Sequence, residues 1–209
     1  TGSTNVGGIQ LNANTIIEDG GTLQFKKSAT VAGEGIDQIN VNGDIIGQGS
    51  TSADSVINVL LGAGTGGTNG VSFATGAGAA GSDLFVDGSG KYGLRVVGSY
   101  AALTNLVTTE RLNDLIGTGG TLTIAQTDNI ARTWSNAPTV ASSIKLGFDS
   151  SGGSNPTNTL GAVADDLSNF GGLVVKGGVV VAGRDQNFVG TGNSTFDITG
   201  GTLRLYTLS

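Results

Sequence analysis

Residues 170–206 read FGGLVVKGGVVVAGRDQNFVGTGNSTFDITGGTLRLY. Apolar residues gather in short runs at 173–175, 179–182 and 202–206, with a further run at 195–198, and the glycine pairs Gly171-Gly172, Gly177-Gly178 and Gly200-Gly201 stand between them. Branched and aromatic side chains suit a pleated, half-buried backbone, and paired glycines mark turns between segments too short to be helices. The stretch therefore predicts alternating strands and turns, and the rest of the chain repeats that pattern with variations.

Moving outward, residues 9–17 (IQLNANTII) alternate Ile9, Leu11 and Ala13 against Gln10, Asn12 and Asn14, the signature of a half-buried strand. Further strands are expected at 22–25, 36–46, 71–74, 84–86, 93–97, 121–125, 130–134 and 143–148. The continuous apolar run SVINVLL at 55–61 predicts a strand covered on both faces. Glu18-Asp19-Gly20-Gly21 and Asp87-Gly88-Ser89-Gly90 read as turns, residues 1–8 as an arm, and residues 62–81 as a long loop or a stack of very short strands. One short helix is expected at 108–116 (TTERLNDLI), with a Thr near the N-cap, Glu110 in the first turn, Leu112, Leu115 and Ile116 on one face, and Gly117 at the stop. A second helical pattern covers 160–170 through Val163, Leu167 and Phe170, with Gly161 against it.

The composition fits one all-β domain over residues 1–209, with residues 1–17 an arm or a donated strand. Thirty-eight glycines with two prolines and no three-residue period exclude collagen. The net charge of −6 and the ten scattered Lys and Arg argue against a nucleic-acid partner. Cysteine, histidine and methionine are all absent, which removes disulfides, thiolate chemistry and imidazole ligands together. No apolar run reaches the roughly 18 residues of a membrane-spanning helix. A chain that does not begin with Met is expected to be processed from a longer product, by loss of a signal peptide or propeptide, which points to a secreted, extracellular or cell-surface location.

Gly-Gly-Thr-Leu-polar-apolar occurs three times, as GGTLQF at 20–25, GGTLTI at 119–124 and GGTLRL at 200–205. Glycine-ended strands also recur at steps of about 23 to 29 residues, a spacing typical of stacked repeats. The phrase resembles the autotransporter-associated β-strand repeat of bacterial surface passenger domains, and INVNGDIIGQG at 39–49 is similar to another phrase of that family. The resemblance covers residues 20–50 and 119–206 and departs from the chain at 62–116. It implies a right-handed parallel β-helix, a solenoid in which stacked coils bury one another's apolar faces. It implies no active site. The alternative fold is a β-sandwich completed by a strand from a neighbouring copy, with residues 9–17 as the donated strand.

Candidate chemistry is sparse. Residues 78–85 (GAAGSDLF) resemble one copy of a calcium-binding nonapeptide, making Asp83 and Asp87 the calcium candidates, although such sites need consecutive copies. The pairs Glu18-Asp19 and Asp165-Asp166 are the carboxylates available for a polysaccharide lyase or hydrolase, yet neighbours on a strand point to opposite faces. Ser142-Ser143-Ile144-Lys145 carries the Ser-x-x-Lys spacing of a nucleophile and its base, which requires a helix where a strand is predicted. Trp134, Tyr92 and Tyr100 are the aromatics that would face a sugar, and Asn193-Ser194-Thr195 is a formal glycosylation acceptor. The expectation is a non-enzymatic structural protein without a cofactor. Its copies associate through strand edges into a fibre, sheath or adhesive layer, using Ile9, Leu11, Ile16, Ile17, Leu203 and Leu205, with surface or matrix glycans as a further partner. The alternative is a phage virion component, either a fibre or a capsid decoration protein.

Overall fold

The computed structural model describes residues 9–26, 38–41, 43–49, 52–60, 70–73, 84–88, 92–99, 115–134, 144–150, 157–160, 171–182 and 195–205. Among the described residues the chain is all β, with no helix. Every pairing among the described strands is parallel.

The described strands form four sheets, each taking its strands in chain order. The first holds β1 (Ile9–Leu11), β4 (Gln38–Val41) and β7 (Gly70–Phe73). The second holds β2 (Thr15–Ile17), β5 (Ile45–Gly47), β8 (Leu84–Asp87) and β10 (Leu115–Gly119). The third and largest holds β3 (Thr22–Lys26), β6 (Ser55–Leu60), β9 (Gly93–Gly98), β11 (Thr121–Gln126), β13 (Lys145–Asp149), β15 (Gly172–Val175) and β17 (Thr195–Ile198). The fourth holds β12 (Arg132–Trp134), β14 (Thr157–Leu160), β16 (Val179–Ala182) and β18 (Thr202–Leu205).

The core is built on the seven-stranded sheet, where register puts like beside like. Ile57 lies beside Val96, then Ile124, Phe148 and Val175; two positions earlier, Leu94 lies beside Leu122, Leu146 and Leu173. All nine are 4% exposed or less. Side chains alternate across a strand, so these two rows share one face, and each such residue taken fully out of water contributes about 1.5–3 kcal/mol. The strands buried at every position are β11 and β15 rather than the expected 55–61 run: Thr121, Thr123 and Ala125 on the other face of β11 are buried too, as is Val174 of β15, while Val56 and Asn58 of β6 are half-buried. β11 is the middle strand of its sheet, whereas β6 and β15 each lie next to a terminal strand, so place in the sheet does not by itself decide whether the second face is covered.

Several expectations are corrected. Antiparallel pairing, which the sandwich alternative requires, is not found among the described strands, and residues 9–17 are not one continuous strand. They form two strands of different sheets, β1 and β2, each paired within the chain. The apparent alternation runs through a corner at Ala13, where the Gly43 N–H donates to the Leu11 carbonyl at 3.1 Å and the Asp44 N–H to Asn14 Oδ1 at 3.1 Å. The helix expected at 108–116 ends in a strand instead: Leu115 and Ile116 pair with Leu84 and Phe85, and Gly117, the expected stop, pairs with Val86. Pairing with β8 outweighs the local preference of a short amphipathic run; residues 108–114 lie outside the described residues. Strand β14, reading TNTL, was not anticipated because it carries one aliphatic residue, and both its edges are paired, to β12 and β16. Its Leu160 would have begun the second helix, whose remaining residues 161–170 lie outside the described residues.

The repeat is looser than the glycine spacing suggests. From β9 onward, register partners stand 22 to 28 residues apart, from Thr157 with Val179 to Gly93 with Thr121. In the first half the step widens, reaching 39 residues from Ser55 to Leu94. The three Gly-Gly-Thr-Leu phrases each start a strand, but β3 and β11 belong to the seven-stranded sheet and β18 to the fourth. Their glycines also differ in use. Gly120 needs its left-handed backbone, at φ +88°, and a Cβ there would lie 2.4 Å from the Tyr92 carbonyl oxygen. Gly201 has no such φ, but a Cβ there would meet Val175 Cγ1 at 2.5 Å. One phrase thus serves two different corners.

Candidate functional site

The candidate surface is formed by the terminal strands of the sheets. At one end of the seven-stranded sheet lies β3, at the other β17, and β18 is the terminal strand of the fourth sheet on the same side as β17. The strand β17 continues both core rows, with Phe196 beside Leu173 and Ile198 beside Val175. No described strand lies beyond it, and Phe196 and Ile198 are 46% and 50% exposed. Leu205, beside Ala182 in the neighbouring sheet, is 68% exposed, and Leu203, beside Val180, is half-buried. At the opposite end, Leu23 is half-buried and Thr22 and Gln24 are exposed.

Of the expected assembly residues, Ile9 and Leu11 lie on β1, the terminal strand of its sheet, and Ile16 on β2 is 57% exposed. Ile17 is buried at 5% and belongs to the core. Leu203 and Leu205 are brought to the β18 edge, whereas Phe196 and Ile198, the largest apolar groups at that end of the seven-stranded sheet, were missed. TFDI signals a strand by its composition, but its terminal place follows only from the strand order.

Edge strands that avoid pairing carry charge, Lys or Pro. Among the described terminal strands β17 has one charged residue, Asp197, β18 has Arg204, β3 has Lys26 and β12 has Arg132, while β1, β2, β7 and β10 have none, and none of these strands contains a proline.

The other candidates are dispersed. Asp87 ends β8, and Asp83 lies outside the described residues; among the described residues no group of three or more Asp, Glu, His or Cys could hold a metal ion. Glu18 and Asp19 are exposed at the turn between β2 and β3, closed by the Gly21 N–H donating to the Glu18 carbonyl at 2.8 Å. Asp19 braces the next turn, accepting from Ser52 Oγ at 2.8 Å and from the Ala53 N–H at 3.2 Å. Asp165 and Asp166 lie outside the described residues, as do Ser142, Ser143, Tyr100, Asn193 and Ser194. Lys145 begins β13, between Thr121 and Gly172, so the Ser-x-x-Lys spacing reaches its Lys on a strand. Trp134 ends β12, and Tyr92 precedes β9 and is half-buried.

On the outer face of the seven-stranded sheet a charged network spans several strands. Arg95 Nη1 donates to Asp149 Oδ2 at 2.6 Å, from β9 across β11 to β13. Lys176 Nζ reaches Thr123 Oγ1 at 3.4 Å and stands 3.9 Å from Asp54 Oδ2, while Asp54 Oδ1 accepts from the Gly93 N–H at 3.0 Å. Arg95 and Asp149 are 54 residues apart in sequence, so only the register reveals the pair. The network neutralises its own charges and ties the strands together.

No family model, curated protein or solved structure matches the chain.

Proposed function

We propose that the four parallel sheets are faces of a right-handed β-helix, and that the protein is a non-enzymatic extracellular structural protein whose copies associate through their terminal strands into a fibre, sheath or adhesive layer. The observation that carries the reading is the C-terminal edge. There the two core rows of the largest sheet run out into Phe196 and Ile198, about half exposed, on a strand with a single charge. Supporting the β-helix are the strand order, which follows the chain in every sheet, and the in-register rows of like residues. The Gly-Gly-Thr-Leu phrases and their likeness to the passenger-domain repeat favour the surface setting.

Sedimentation velocity and electron microscopy over a wide concentration range test this function. Concentration-dependent growth into regular filaments or layers is expected. A protein that stays monomeric at high concentration contradicts it, and so does sustained turnover of acidic glycans, with or without Ca²⁺.

A further inference from the structure

Accepting that copies associate through strand edges, we infer that they do so head to tail in one register: β17 of one copy pairs in parallel with β3 of the next, extending the seven-stranded sheet across the junction. Both are terminal strands of the same sheet and run in the same direction, so a translated copy brings β3 to β17 as a further parallel neighbour. Two β17 edges facing each other would instead pair antiparallel and break the parallel pattern of the sheet.

Side-chain rows fix the register. The outward row runs Thr22, Val56, Arg95, Thr123, Gly147, Val174, Asp197, each beside the next. Continuing it by one strand places Asp197 beside Thr22 of the next copy. The inward rows then place Ile198 beside Leu23, and Phe196 beside Gly21, which has no side chain to obstruct an aromatic ring. No like charges meet across the junction, and a slip of one residue would turn Phe196 and Ile198 away from the apolar row.

Hydrogen bonding agrees with this direction. Within the sheet the Thr199 N–H donates to the Val175 carbonyl at 3.0 Å and the Val56 N–H to the Gly21 carbonyl at 2.9 Å. Because successive residues of a strand direct their polar groups to alternate sides, the Ile198 carbonyl faces the outer side of β17 and the Gln24 N–H the outer side of β3. In the inferred register these two groups meet.

The chain has no cysteine, so crosslinking has a clean background. Two single variants, Thr22→Cys and Asp197→Cys, both at exposed positions, are mixed as full chains under mild oxidation and run on non-reducing gels, with circular dichroism confirming that each keeps its β content. Paired Cα atoms of neighbouring strands fall within disulfide reach. The expected result is a dimer band from the mixture and none from either variant alone, and a ladder of higher species from the double variant. A band from either single variant alone, or a stronger band when Gln24→Cys replaces Thr22→Cys, overturns the inferred register. No band in a sample that sediments as assemblies overturns the inference but leaves self-association standing. A sample that stays monomeric removes both.

Discussion

Strands β11 and β17 lie in one parallel sheet and send residues into the same two core rows, yet Leu122 and Ile124 are sealed while Phe196 and Ile198 are about half exposed. The sequences TLTIAQ and TFDI do not account for this, since both alternate apolar and polar residues. The difference is position: β11 has three strands on either side, and among the described strands β17 has neighbours on one side only. In a stack of parallel strands, burial is supplied by the neighbours, and a strand at the end exposes residues that would be core anywhere else.

The largest effect that can sharpen this contrast is Leu122→Ala, expected to destabilise by about 3 kcal/mol through lost burial and a cavity. Ile198→Ala should cost under about 1 kcal/mol in dilute protein because its side chain is already half in water. Urea titration of both variants checks the pair, and equal losses would break the comparison. Next, Gly120→Ala should cost about 2 kcal/mol, because alanine is strained in the left-handed region and its Cβ would press on the Tyr92 carbonyl. The same substitution at the exposed Gly200, whose φ lies outside the left-handed region, tests close approach without the φ penalty, and a smaller shift in the midpoint is expected there.

Arg95→Ala should cost about 1 kcal/mol, since the pair with Asp149 is partly open to water, and the loss should shrink at high salt in thermal melts. The smallest effect carries the opposite sign. Ser150 Oγ is buried with no hydrogen-bond partner, so Ser150→Ala should leave stability unchanged or raise it by up to about 1 kcal/mol. A clear loss in the same urea titration would show that the hydroxyl is bonded in solution.

Much of the local structure was legible in the sequence. Within residues 170–206 the expected runs at 173–175, 179–182, 195–198 and 202–206 correspond to β15, β16, β17 and β18, the only displacements being an added Gly172 and Tyr206, which lies outside the described residues. Branched residues between glycine pairs leave few other conformations. Sheet membership was not legible, because a strand reads the same whichever parallel sheet receives it: GGTLTI and GGTLRL begin strands of different sheets. Register was not legible either, because partners stand 22 to 39 residues apart and loops of varying length set the step. For that reason nothing local marks Phe196 and Ile198 as residues of a terminal strand, and the Arg95–Asp149 pair gives no local signal. At residues 9–17 the reading failed for a different reason: alternation continued through a corner, where a period of two no longer reports one face.

Hydrogen exchange, followed by mass spectrometry at low and high protein concentration, tests most directly whether neighbours supply the burial. At low concentration, peptides covering 121–126 should be among the slowest to exchange and peptides covering 195–198 should exchange quickly; on assembly, protection should rise at 195–198 and at 22–26 together while 121–126 stays unchanged. Protection at 195–198 equal to that of 121–126 in the dilute protein, or assembly that protects neither terminal strand, would contradict the account.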